Sequence, residues 1–109
     1  MQRMGMVITL HDDQVGEYRR LHANVWPEIL DGISRSNIRN YSIFLKEPEN
    51  LLFGYWEYHG DDFAADAAKM AEDPMTQKWW ALTEPCQKPF ETRGKDEWWA
   101  MMEEVFHHD

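Results

Sequence analysis

Apolar and polar positions alternate at the start of the chain: Met4, Met6, Ile8 and Leu10 fall in phase across residues 3–10, with Val7 as an extra apolar residue. A period of two predicts a β-strand. His11-Asp12-Asp13 then supplies an N-cap for a helix from about Gln14 toward Ala23. Pro27 suits an early helical position, where its missing N–H is not needed. A break near Ala23–Trp26 and a second helical segment over 27–34 follow, with Leu30 and Ile33 as its expected inward anchors. Residues 39–46 alternate again, Tyr41, Ile43 and Leu45 against Ser42 and Phe44, and predict a second strand. The turn Glu47-Pro48-Glu49-Asn50 leads into a third, aromatic-rich strand over 51–58. So short a connection makes a hairpin, and hence an antiparallel pair.

Asp61-Asp62 caps an Ala-rich helix over 63–72, and Asp73-Pro74 starts another over 75–84 that carries Trp79-Trp80. Residues 85–96, with Pro85, Pro89 and Gly94, read as a loop. Residues 98–107 read as a final strand. There is no internal repeat, low-complexity tract or linker, so residues 1–109 are expected to form a single domain. The order β-α-β-β-α-β is the ferredoxin-like split βαβ pattern: an α+β fold, one antiparallel sheet with its helices on one face. The other face needs a cover, and a second subunit's sheet would supply it.

Composition sharpens that expectation. Six Trp, five Phe, four Tyr and seven Met are a heavy apolar load for 109 residues, and small domains bury a modest share of their surface alone. A homodimer is expected. The net charge of −9 argues against nucleic acid and anionic membrane surfaces, which are bound through Lys and Arg, and is compatible with a neutral ligand. No stretch approaches the roughly 18 apolar residues of a membrane span, and the N-terminal apolar run is too short for a signal peptide. A cytoplasmic protein is expected. The lone Cys86 excludes an intramolecular disulfide and reads as a small packed hydrophobe. His11, His59, His107 and His108 form no metal-ligand spacing with nearby acids, so no metal is expected. No phosphate loop, nucleophile elbow or dinucleotide fingerprint appears, and no organic cofactor is expected.

The candidate chemistry lies in Tyr18, His22 and Trp26, spaced four apart. Such residues share a helical face, which here offers a phenol, an imidazole and an indole. Two aromatics can flank a small ligand, and His22 can exchange a proton near neutral pH. The same periodicity also suits a core-facing stripe. In Trp79-Trp80 the indoles diverge by about 100°, so one can serve the core and the other a cleft. Tyr41 can point its hydroxyl into a pocket or cover the core. Trp98-Trp99, read within a strand, is expected to pack at the sheet or the dimer interface.

Taken in order, Tyr18-x-x-x-His22-x-x-x-Trp26-Pro27-Glu28, Asn40-Tyr41-Ser42-Ile43, Asn50-Leu51-Leu52-Phe53, Lys78-Trp79-Trp80 and Glu104-Val105-Phe106 resemble the L-rhamnose mutarotase family across almost the whole chain. The resemblance implies a dimeric α/β barrel that interconverts the α and β anomers of L-rhamnose without metal or organic cofactor. It implies His22 as the proton donor and Tyr18, Tyr41, Trp79 and Trp80 as sugar-contacting residues. The chain departs from the family pattern at Ala23-Asn24, where some relatives have Asn-Pro, and over residues 85–101. A cofactor-free monooxygenase and a non-catalytic ligand-binding dimer on the same barrel are the alternatives, since fold alone does not separate them.

Overall fold

Strand β1 (Gln2–Leu10) runs through the middle of the sheet, and its alternation decides which face becomes core. Met6, Ile8 and Leu10 are buried on one side, while Arg3, Gly5, Val7 and Thr9 lie on the other. The computed structural model describes residues 1–109. After a single 3₁₀ turn at Asp12–Gln14 come helices α1 (Val15–His22) and α2 (Pro27–Arg35). Strands β2 (Ile38–Lys46) and β3 (Leu51–Tyr58) form the hairpin, and α3 (Phe63–Glu72) and α4 (Pro74–Thr83) follow. The chain closes with a 3₁₀ turn at Glu84–Cys86, β4 (Gln87–Lys88) and β5 (Ala100–Met102).

The sheet is antiparallel in the order β2-β3-β1-β4, with β5 also paired to β1. This is the ferredoxin-like arrangement of the α/β-barrel class. The final strand differs from the expectation. It is not one run over 98–107 but two pieces on the same edge of β1: Gln87–Lys88 opposite Leu10 and Thr9, and Ala100–Met102 opposite Val7, Met6 and Gly5. The region read as a loop over 85–96 thus contributes a strand fragment, and residues 103–107 lie outside any strand. Pro89, the residue after β4, has no N–H to continue the ladder.

Local chemistry sets the helix ends. Trp26 precedes Pro27 and is held extended at φ −60°, ψ 138°, the conformation that a following proline favours. α1 therefore stops at His22, and α2 starts anew with Pro27 in its first turn. Asp62 caps α3 by accepting from the Ala65 N–H at 3.1 Å. Asp73 caps α4 by accepting from the Met75 N–H at 3.2 Å, with Pro74 as its first residue. In α2 the inward anchors are Ile29 and Ile33, one turn apart. Leu30 is 53% exposed and is not the anchor its hydrophobicity suggested.

A β-bulge in β2 matters most for the interior. The register passes from Arg39 opposite Glu57 to Ser42 opposite Tyr55, so Asn40 and Tyr41 together face one residue of β3. Asn40 takes the extra turn at φ 51°, a left-handed conformation that asparagine tolerates well. The bulge shifts the alternation by one. Ile38 before it and Tyr41, Ile43 and Leu45 after it all face inward. Gly54 of β3 lies opposite Met6, and a Cβ there would come within 2.6 Å of the Met6 sulfur and 3.4 Å of the Trp99 ring. Only glycine leaves room for both side chains.

The helices leave the outward face of the sheet bare. Phe44, Phe53, Val7 and Ala100 form one continuous row across β2, β3, β1 and β5, with Phe44 65% and Phe53 38% exposed.

Candidate functional site

Between the inward sheet face and the helices lies a cavity of about 270 Å³, close to the lower end of the roughly 300–1,000 Å³ usual for small-molecule sites. All five residues singled out from the sequence, Tyr18, His22, Tyr41, Trp79 and Trp80, line it. A more open groove of about 520 Å³ shares His22, Tyr41 and Trp79 with it and reaches outward past Asn40 and Ser34.

His22 occupies the last turn of α1, where its orientation is over-determined. Its Nδ1–H donates to the Tyr18 backbone carbonyl at 3.0 Å. Its ring stacks on the Tyr18 ring at 4.1 Å between centroids and meets the Trp79 ring edge-on at 5.3 Å. With Nδ1 committed as the donor, the neutral ring carries its lone pair on Nε2. Burial disfavours the charged imidazolium and lowers the His22 pKa, opposed by the hydrogen bond to the Tyr18 carbonyl. The resting ring at neutral pH is therefore the uncharged base.

The tyrosines differ in their surroundings. Tyr18 is 5% exposed, and burial pushes its hydroxyl well above the ordinary phenol pKa. Tyr41, aimed inward by the bulge and packed edge-on against Trp56 at 5.0 Å, is pushed up to about 12, also by burial. Both are neutral hydroxyls that can donate or accept hydrogen bonds. Among the cavity-lining residues the one carboxylate is Glu84, and there is no lysine or arginine. The site suits an uncharged ligand with several hydroxyls.

Trp79 and Trp80 both line the cavity, but only Trp79 is also core, packed with Leu21 and Ile29. Trp26 stays out of the cavity. It caps α2 and braces Trp79 from behind at 5.2 Å, so the Tyr18–His22–Trp26 stripe divides into two cavity residues and one support. Trp98 and Trp99 both line the cavity, and Trp99 also packs on the inward sheet face beside Gly54 and Met6, as expected of it; what differs is that neither lies within a strand. They lie in a bend just before β5, where strand alternation does not apply and neighbours need not face opposite sides. Sequence reasoning also missed Gln87 and Thr83 in the cavity wall. The buried end of α4 and the strand fragment β4 place them there, and no motif marks either.

Comparison with known proteins decides the family. The sequence model of a family described as L-rhamnose mutarotase matches residues 3–108. The chain belongs to the L-rhamnose mutarotase family. It is 36% identical to an L-rhamnose mutarotase of Oceanobacillus iheyensis over 110 residues, covering 100% of both chains. Its fold is similar to the crystal structure of an L-rhamnose mutarotase from Formosa agariphila, with TM-score 0.79 and 24% identity over 100% of each chain. A type-II polyketide cyclase from Streptomyces glaucescens shares the fold at TM-score 0.70 and 14% identity, covering 100% of this chain and 98% of that one. The same scaffold thus serves other chemistry, and family membership rests on the sequence match.

The protonation state of His22 is open to direct measurement. NMR titration of its ring should give a midpoint below the ordinary 6.5, with the Nδ1–H tautomer dominant at neutral pH. Because the folded-state pKa is lowered, the stability linked to the neutral ring is complete above about pH 6.5 and is lost as pH falls through the folded value. A midpoint at or above 6.5 would show that burial does not govern this ring.

Proposed function

We propose that this protein is an L-rhamnose mutarotase, an isomerase that interconverts the α and β anomers of L-rhamnose by ring opening and reclosure. The observation that carries the reading is the convergence of His22, Tyr18, Tyr41, Trp79 and Trp80 on one cavity without lysine or arginine in a chain of that family. Indole faces suit the C–H surfaces and methyl group of a deoxy sugar, while the two phenols reach for its hydroxyls.

His22 is the proton carrier in this mechanism. In its neutral form, Nε2 takes the proton of the C1 hydroxyl as the C1–O5 bond breaks and the aldehyde forms. O5 leaves as an incipient alkoxide and collects a proton from a tyrosine hydroxyl or a water held by one. Rotation about C1–C2 presents the other carbonyl face to the O5 hydroxyl. On closure the O5 hydroxyl attacks C1 and gives its proton back to the tyrosinate or hydroxide that opening left, while the His22 imidazolium acts as the proton donor and returns its proton to the carbonyl oxygen. No electrons are exchanged. No cluster of three His, Cys, Asp or Glu side chains with metal-binding geometry is present, and the reading includes neither metal nor organic cofactor.

The active form is a homodimer in this reading, with the bare sheet faces stacked so that the Phe44–Phe53–Val7–Ala100 row is buried. Its location is cytoplasmic, which fits the buried free thiol of Cys86. No helix is long and apolar enough to cross a membrane.

Saturation-transfer NMR on L-rhamnose should show accelerated exchange between the two anomeric protons when the protein is added. His22→Asn should cut that exchange by about 10²-fold or more, the usual scale for lost acid–base catalysis, with folding retained. Exchange at the parental rate in His22→Asn would end the mechanism. Sedimentation should give a dimer that Phe53→Glu dissociates. A 13.1 kDa species alone at micromolar concentration would refute the assembly.

A further inference from the structure

Three polar side chains outside the five residues above are buried in the cavity wall, Thr76, Thr83 and Gln87, and Gln87 is the one that bonds to a site residue. Gln87, in the short strand β4, is 6% exposed, and a buried amide needs partners for both its oxygen and its nitrogen. The Trp98 indole Nε1–H donates to Gln87 Oε1 at 2.7 Å. An indole nitrogen only donates, so this bond fixes which end of the amide is which. Gln87 Nε2 is thereby directed to the Tyr18 hydroxyl, where it donates to the phenol oxygen across a long 3.5 Å. A phenol oxygen that accepts from the protein keeps its own O–H free.

We infer that Trp98 and Gln87 form a positioning relay that sets the polarity of the Tyr18 hydroxyl, turning its O–H into the cavity as a donor to a sugar oxygen. The inference rests on the cavity being the rhamnose site. Polarity matters there because a pyranose ring oxygen bears no hydrogen and can only accept. A Tyr18 hydroxyl spent as a donor to the protein would offer that oxygen nothing. Both relay residues lie in the closing segment, Gln87 in β4 and Trp98 in the bend before β5, and neither need touch the sugar.

Gln87→Glu tests the polarity with almost no change in shape. A carboxylate still accepts from Trp98, but its second oxygen accepts from Tyr18 and draws the phenol O–H inward. Exchange efficiency, kcat/KM, should fall by about 10–100-fold, the scale of a hydrogen bond to a charged group. The ratio of variant to parental rate should recover as pH falls through the carboxyl range, because the protonated acid regains a donor. In a Tyr18→Phe background the same substitution should change exchange by less than about twofold, although any general effect of the added charge would persist there. Trp98→Phe, at a 40% exposed position, releases the amide and should cost about 3–10-fold, again only when Tyr18 is present; it serves if the buried Gln87 variant does not fold. Losses that multiply with that of Tyr18→Phe, or either folded variant at the parental rate, would overturn the relay. A parental protein without anomer exchange would instead overturn the functional reading beneath it.

Discussion

The hydrogen bond from His22 Nδ1–H to the Tyr18 carbonyl, closed within a single turn of α1, is the constraint on which the site depends. It chooses the imidazole tautomer, holds the ring stacked on the Tyr18 ring with 27° between their planes and leaves Nε2 as the free nitrogen. The turn at Ala23-Asn24 and the extended Trp26 ahead of Pro27 stop α1 at His22 and bring Trp26 round behind Trp79. Tyr18, His22, Trp79 and Trp26 then form one chain of aromatic contacts that runs from core to cavity wall, each ring limiting the freedom of the next. Ring pairs of this kind are worth about 0.5–1.5 kcal/mol each beyond the area they bury. The stack therefore couples the orientation of the His22 ring to the stability of the helix layer.

The sheet meets that layer with two departures from regular geometry. The bulge at Asn40-Tyr41 lets residues on both sides of it face inward, which a regular strand forbids. Gly54 removes a side chain where Met6 and Trp99 need the volume. The first aims Tyr41 at the cavity, and the second seats Met6 and Trp99 in its wall. Glu57 stabilises the outer side of the bulge by accepting from the Asn40 amide at 2.7 Å and the Tyr55 hydroxyl at 2.9 Å.

Much of this was legible in the sequence. The alternation in β1, the four-residue hairpin turn and the Asp caps of α3 and α4 located those elements to within a residue or two, because each rests on a local rule. The five proposed site residues were legible through their order and spacing, and they do line one cavity. What escaped was set by tertiary context. The closing strand broke into two pieces because its partner, β1, has room for both on one edge, a fact invisible to periodicity. Trp98 and Trp99 were read into a strand for the same reason, although Trp99 does pack against the sheet. Gln87 gave no signal, as a single polar residue in a Pro-rich stretch resembles any surface loop residue. Leu30 shows the converse failure: of two neighbouring apolar residues, packing chose Ile29.

In the proposed mechanism a neutral, half-buried His22 moves the proton. The most direct test is to measure the pH dependence of L-rhamnose anomer exchange alongside the titration of the His22 ring itself. The account predicts that exchange falls on the acid side with the same midpoint as the ring, below 6.5, and that this limb disappears with His22. An acid limb at a different pH, or one that survives the loss of His22, would contradict it.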